Sequence, residues 1–237
     1  MACLRHSASG LRRFLGAGVV LLTASAFLGT APAFGAAVAT WEMNERAGAR
    51  TMHDSSNSGL DGRIGSAVET GVAAGGARGY RWRARGKDGR RPERLVTVAG
   101  SRLNPRSDAF AVTIRMRTGA GNQNIIQKGQ AHTAGGMFKV DMVRGHVICL
   151  FKGSRGRVAI GSRQTVWDGA WHTVRCKRLA GQVTIVVDGV RRTNRGATGY
   201  IANSWALSIG GKLRCNPPAV ECDYYAGLLD RATVRRW

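Results

Sequence analysis

From Ala109 onward the chain alternates apolar and polar residues with a period of two, the pattern of strands with one buried face. Phe110, Val112, Ile114 and Met116 share one side, and Thr113, Arg115 and Arg117 share the other. Phe138, Val140 and Met142 alternate with Lys139 and Asp141, and Val147, Cys149 and Phe151 repeat the period. Val174 and Cys176 oppose Thr173, Arg175 and Lys177, and Val183, Ile185 and Val187 form a further strand. Near the C-terminus Leu228, Asp230, Ala232 and Val234 are set against Leu229, Arg231, Thr233 and Arg235. Turn pairs punctuate these runs: Arg144-Gly145, Asp168-Gly169, Ala180-Gly181 and Asp188-Gly189. Upstream, Val38 to Met43 reads as a first strand and residues 54–59 as a polar loop. No helical period, repeat or long linker interrupts the pattern. It predicts an all-β chain, a sandwich or barrel, with one domain over residues 34–237.

The same alternation gives the segment 78–94 a basic character. Tyr80, Trp82 and Ala84 oppose Arg81, Arg83 and Arg85, which predicts a strand with one cationic face running into a Gly86-to-Gly89 loop. Arg81, Trp82, Arg83, Arg85, Lys87, Arg90 and Arg91 are therefore the candidate ligand contacts. Guanidinium groups fork onto sulfate or phosphate, and an aromatic ring stacks on a sugar. The competing reading is a solvated basic loop.

Composition sharpens this. The chain has 36 Lys and Arg against 14 Asp and Glu, a formal charge of +22. Only six of those cations are Lys, and Arg suits bidentate oxyanion recognition better. A GC-rich genome also favours Arg, but it does not account for the scarcity of acids, so a polyanion partner is expected. Nucleic acid would satisfy these charges only non-specifically. The 33 glycines keep no three-residue register and prolines number five, which excludes collagen.

The N-terminus reads as an export signal. Arg5, Arg12 and Arg13 precede the uncharged run Leu15 to Leu28, and Ala31-Pro32-Ala33 supplies an A-x-A cleavage site. Residues 1–33 are expected to be removed, which gives a secreted, extracellular product of charge +19. No second apolar run is long enough for a membrane span, so no membrane insertion is expected. In an oxidising compartment Cys149, Cys176, Cys215 and Cys222 read as two disulfides. Cys149 and Cys176 lie inside strand patterns, which suggests a cross-strand staple. Cys215 and Cys222 flank the Asn216-Pro217-Pro218 turn. Zinc is the rival, but C-x2-C spacing and a partnering His are missing.

Catalytic patterns are thin. Polysaccharide hydrolysis on a β-sandwich uses two carboxylates at defined separation. The glucanase-type Glu-x-Asp-x-(x)-Glu strand is absent, and Glu221-Cys222-Asp223 lacks a third acid. No G-x-S-x-G elbow, H-E-x-x-H or P-loop occurs. The histidines at 53, 132, 146 and 172 are scattered, so the chain reads as a non-enzyme.

One order of motifs is more specific. Val166-Trp167-Asp168-Gly169-Ala170-Trp171-His172-Thr173-Val174, then a charged strand, then Val187-Asp188-Gly189, resembles the DGxWHxV…VDG signature of laminin G-like domains. Gly210-Gly211, Gly227-Leu228-Leu229-Asp230, Trp41-Glu42-Met43-Asn44-Glu45 and Asp54-Ser55-Ser56 fit the same family, of a bacterial secreted type. The resemblance implies a concanavalin A-like jelly-roll β-sandwich. In it, Asp168, Gly169, Trp171, His172, Asp188 and Gly189 are structural. It also implies a binding module for carbohydrate or anionic polysaccharide. A protein-binding adhesive module is the alternative, and a glycoside hydrolase the remotest reading. The family's calcium site usually takes an Asp just before the strand at Phe138–Val143, and Thr133-Ala134-Gly135-Gly136-Met137 holds no acid. Only a structural calcium held partly by Asp230 is left open, and no cofactor is otherwise implied.

Overall fold

In the computed structural model, described for residues 36–84, 90–215 and 222–237, sixteen strands follow one another along the chain. The first six are β1 (Ala36–Trp41), β2 (Thr51–Met52), β3 (Gly62–Ile64), β4 (Glu69–Ala74), β5 (Ala77–Trp82) and β6 (Val96–Val98). Next come β7 (Phe110–Arg117), β8 (Gln123–Lys128), β9 (Met137–Val143), β10 (His146–Gly153) and β11 (Gly156–Thr165). The last are β12 (Trp171–Leu179), β13 (Gln182–Val187), β14 (Val190–Arg195), β15 (Leu207–Ile209) and β16 (Gly227–Arg236). The expected export signal lies outside the described residues.

The strands form two eight-stranded antiparallel sheets packed face to face, a jelly-roll β-sandwich. Sheet I runs β14-β13-β12-β7-β16-β5-β4, and β1 pairs with the C-terminal half of β16. Sheet II runs β11-β10-β9-β8-β15-β6-β3-β2. The Arg144-Gly145 and Asp188-Gly189 pairs close their hairpins with positive φ at both positions (50° and 79°, 48° and 85°). That is the backbone of a type I′ turn, whose twist matches the strands it joins.

The inward faces are those the alternation assigns. Phe110 of sheet I meets Phe138 and Phe151 of sheet II, with ring centroids 5.0 and 6.3 Å away. Two places depart from simple alternation. In β16 a bulge between Leu229 and Arg231 resets the phase. Leu229, Ala232 and Val234 therefore point inward, whereas strict alternation groups Leu228 with Ala232. In β8 a bulge between Asn124 and Ile126 leaves Ile125 and Ile126 both buried, which hides that strand from a period-two reading.

Cys149 of β10 is bonded to Cys176 of β12, with Cα atoms 5.6 Å apart. Since β10 and β12 belong to different sheets, the staple ties the two layers together rather than joining paired neighbours. Cys215 and Cys222 form the second bond, Cα atoms 4.2 Å apart. Both pairings agree with the expectation from sequence.

Candidate functional site

On the outer face of sheet II, β8 to β10 turn Gln127, Lys139 and Leu150 away from the core, in one row across the strands. Met137 and Leu150 give that row an apolar floor. Residues 130–134 rise along one side and residues 205–215 along the other, enclosing a groove of about 960 Å³. The walls are tied to each other. Gln130 Nε2 donates to the Arg214 carbonyl at 2.7 Å, and Lys152 Nζ donates to the Ala131 carbonyl at 2.7 Å. Trp205 is fixed from below and above. Its carbonyl accepts from Lys128 Nζ, its N–H donates to Asn203 Oδ1 at 3.0 Å, and the Arg214 guanidinium lies 5.0 Å from its ring centroid.

The electrostatics are one-sided. Lys139, Lys152, Arg157, Lys212 and Arg214 line the groove, and no described lining residue is a carboxylate. Lys139 and Lys212 reach to Asp141 and Asp223 just beyond it. Burial pushes the Asp141 carboxyl above its ordinary range, against the opposing charge of Lys139. Burial likewise lowers Lys128 beneath the floor to about 8. Gln127 is 3% exposed, and its Nε2 donates to the Gly129 carbonyl at 2.6 Å. Its Oε1 has no hydrogen-bond partner among the described residues. A buried acceptor without a donor costs free energy.

The basic segment is arranged differently from the expectation. Trp82 corrects it outright: the side chain is 2% exposed, in edge contact with Tyr225, and its indole N–H donates to the Arg94 carbonyl at 2.8 Å. It is a core residue, because β5 turns Tyr80 and Trp82 inward together, and it cannot stack on a ligand. Arg81 and Arg83 both engage Glu69, which partly neutralises them. Arg90 and Arg91 are exposed. Arg85 and Lys87 lie outside the described residues.

The signature residues form a clamp. His172 Nδ1 stands 2.6 Å from Asp188 Oδ2 and its Nε2 stands 2.9 Å from Asp168 Oδ1, so one ring joins two turns. Asp188 Oδ1 also accepts from the Thr173 N–H at 2.8 Å. Both ring nitrogens face carboxylates, and only the imidazolium donates from both. Burial works against the charged ring, but the two carboxylates outweigh it and the pKa is raised. Asp230 pairs with Arg115, and among the described residues no three His, Cys, Asp or Glu cluster as metal ligands. The residues present therefore do not fit the structural calcium left open by the resemblance.

A two-sheet jelly roll with a groove on one outer face is the architecture of this chain. The laminin G domain profile matches residues 112–234, just over half the sequence, and the chain belongs to that family. No curated protein matches it in sequence. Among solved structures, mouse laminin α1 domains LG4-5 align at 16% identity and a TM-score of 0.46, covering 65% of this chain and 45% of theirs. The chain spans less than half the length of the laminin structures it matches. Domain 4 of an extracellular GH43 arabinanase from Geobacillus stearothermophilus, in complex with arabinotriose, aligns at 11% identity and a TM-score of 0.56 over 86% of this chain and 93% of that one. The binding domain of botulinum neurotoxin DC, in complex with SialylT, aligns at 11% identity and a TM-score of 0.57 over 85% and 46%. At such identities these likenesses show the fold alone.

Proposed function

We propose that this chain is a secreted, non-catalytic module that binds carbohydrate in the groove over sheet II. The observation that carries the reading is the combination in one groove of the Trp205 ring, the apolar floor of Met137 and Leu150, and the hydrogen-bond donors of Lys139, Lys152 and Lys212. Sugars present apolar C–H faces and hydroxyl rims, and this lining meets both. The cations around the rim admit acidic substituents on that sugar. The arabinotriose seated on the arabinanase domain is consistent with such a role for the fold. Turnover is not expected, because glycoside hydrolysis needs two facing carboxylates and none lines the groove among the described residues. Release outside the cell rests on the Ala31-Pro32-Ala33 cleavage pattern and two disulfides. No described helix is long and apolar enough to cross a membrane.

A second reading, docking to a protein, rests on Trp167, 46% exposed over the Gly145 turn, and on the exposed Val143 at the end of β9. In the basic segment, the exposed Arg90 and Arg91 are the described residues placed to add a polyanion contact. A glycan array probed at two salt concentrations with the full secreted protein and with Trp205→Ala separates the two readings. Carbohydrate binding predicts a defined glycan set lost in Trp205→Ala, by about 1–3 kcal/mol for an aromatic platform of this kind. No glycan retained by the native protein, or retention unchanged in Trp205→Ala, would overturn the assignment.

A further inference from the structure

Sheet I carries its own unassigned face. Its outward residues on β7, β12 and β16 alternate between Arg and Thr, and the registers place them side by side. Arg175 lies opposite Thr113, which lies opposite Thr233, while Thr173 lies opposite Arg115 and Arg115 opposite Arg231. Farther out, Val186 of β13 separates Arg175 from Arg191 of β14. Two adjoining hollows of about 340 Å³ each mark this surface and share Thr113, Thr173 and Arg235.

The outward face of any antiparallel sheet is polar, so polarity alone decides nothing. Charge imbalance does. Asp230 answers Arg115 and Glu42 answers Arg231. Arg175 and Arg191 have no ion pair among the described residues, and Lys177 only faces the Trp237 ring at 4.5 Å. Burial, then the charges of Arg175 and Arg191, lower the pKa of Lys177. Like charges held on one face repel one another, and a bound polyanion relieves that repulsion.

We propose that the outer face of sheet I is a second binding site, taking a linear anionic polysaccharide across Arg175, Lys177 and Arg191. Two residues along a strand set cations about 7 Å apart, and two strands across set them about 10 Å apart. That spacing suits a polymer with one sulfate or carboxylate every sugar or two. The threonine hydroxyls between the arginines meet sugar hydroxyls. A nucleic-acid strand is disfavoured on stacking: no aromatic side chain lines the hollows, and the nearby Trp237 ring is already faced by Lys177. The site lies on the opposite layer from the groove, so one molecule can hold a glycan on one face and a polyanion on the other.

The test uses heparin as the probe. Arg175→Gln, Lys177→Gln and Arg191→Gln are combined in one variant, and a control removes the same charge at the exposed Arg102, Arg155 and Arg163. The proposal expects the first variant to elute from heparin at clearly lower salt. Its slope of log K against log salt should be shallower by about 2–3. The control should elute close to native, with glycan-array binding intact in both. Equal losses in both variants would show diffuse attraction, and unchanged retention in the first would remove the site. If the triple variant fails to fold, Arg175→Gln and Arg191→Gln singly replace it, each expected to lower the slope by about one. A poly-dT probe depending on the same three residues as strongly as heparin would overturn the polysaccharide assignment. Loss of groove binding in Trp205→Ala leaves this outcome unaffected, so the two readings fail separately.

Discussion

The two sheets obey one pleat rule and end with unlike outer faces. On sheet II the outward row of Gln127, Lys139 and Leu150 is walled by residues 130–134 and 205–215, and its lysines at 139 and 212 have acidic partners. On sheet I the outward row is richer in arginine, and Arg175 and Arg191 have no ion pair among the described residues. Alternation decides only that a side chain points outward. Loops add an aromatic ring and an apolar floor to one outward face and shape a groove of about 960 Å³, whereas the other face keeps two hollows of about 340 Å³ on a charged surface. A large groove with an aromatic ring favours stacking and directed hydrogen bonds; a charged surface favours long, salt-sensitive polymers. Each face can be disturbed without the other only if the layer between them is untouched.

The largest effect is therefore expected from that layer. Trp82→Ala empties a site packed against Tyr80 and Tyr225 and removes the indole donor to the Arg94 carbonyl. The cost should be about 3–5 kcal/mol, a melting-temperature loss on the order of 10 °C. Calorimetry checks it, and a variant that melts like the native protein while losing only heparin retention would restore Trp82 to the surface contact expected from sequence.

Trp82 also shows where the sequence was legible and where it was not. Its alternation with Arg81 and Arg83 was readable, but a cationic neighbourhood on both sides disguised which face was buried. The all-β sandwich, the hairpin turns and both disulfides were legible from a period, a dipeptide and the placement of the cysteines, and the jelly roll from the resemblance to laminin G-like domains. The groove was not. Its parts lie on β8 to β11 and on residues 203–215, far apart in sequence and brought together by the β8–β15 pairing and side-chain contacts such as Gln130 to Arg214. The one signal available was Trp205 among small and polar residues, and a single aromatic does not announce a site. β8 stayed hidden for a physical reason as well, since its bulge buries consecutive residues and erases the period.

The disulfides should separate the layers next. Replacing Cys149 and Cys176 with Ala frees the tie between the sheets, with a loop-entropy loss of roughly 3–4 kcal/mol; replacing Cys215 and Cys222 should cost roughly 2–3. The two differ in function more than in stability. Cys215 lines the groove on sheet II, so its removal should weaken glycan binding at temperatures where the protein is fully folded. Heparin retention, assigned to sheet I, should hold. Glycan binding that survives loss of the Cys215–Cys222 bond would mean the 205–215 wall is not part of the site.

The smallest effect tests the rim of sheet I, where Asp188 and Gly189 border the cationic face. His172 joins the Asp168 and Asp188 turns through both ring nitrogens, and its pKa is raised over the ordinary 6.5 once the carboxylates outweigh burial. A group whose folded pKa is raised contributes stability that is complete below its unfolded value and is lost as pH rises through the folded one. Asp168, whose pKa is lowered first by the His172 hydrogen bond, sets the acid limit, losing its share as pH falls below about 4. The clamp should therefore be strongest at about pH 4–6.5 and weaken above that window. His172→Gln keeps a neutral hydrogen-bonding side chain but cannot become a cation. Its melting temperature should fall a few degrees below native near pH 5.5, with the gap narrowing by pH 9. A gap of constant size from pH 5 to 9 would show that the ring acts by packing alone, and that the imidazolium is not what holds the two turns.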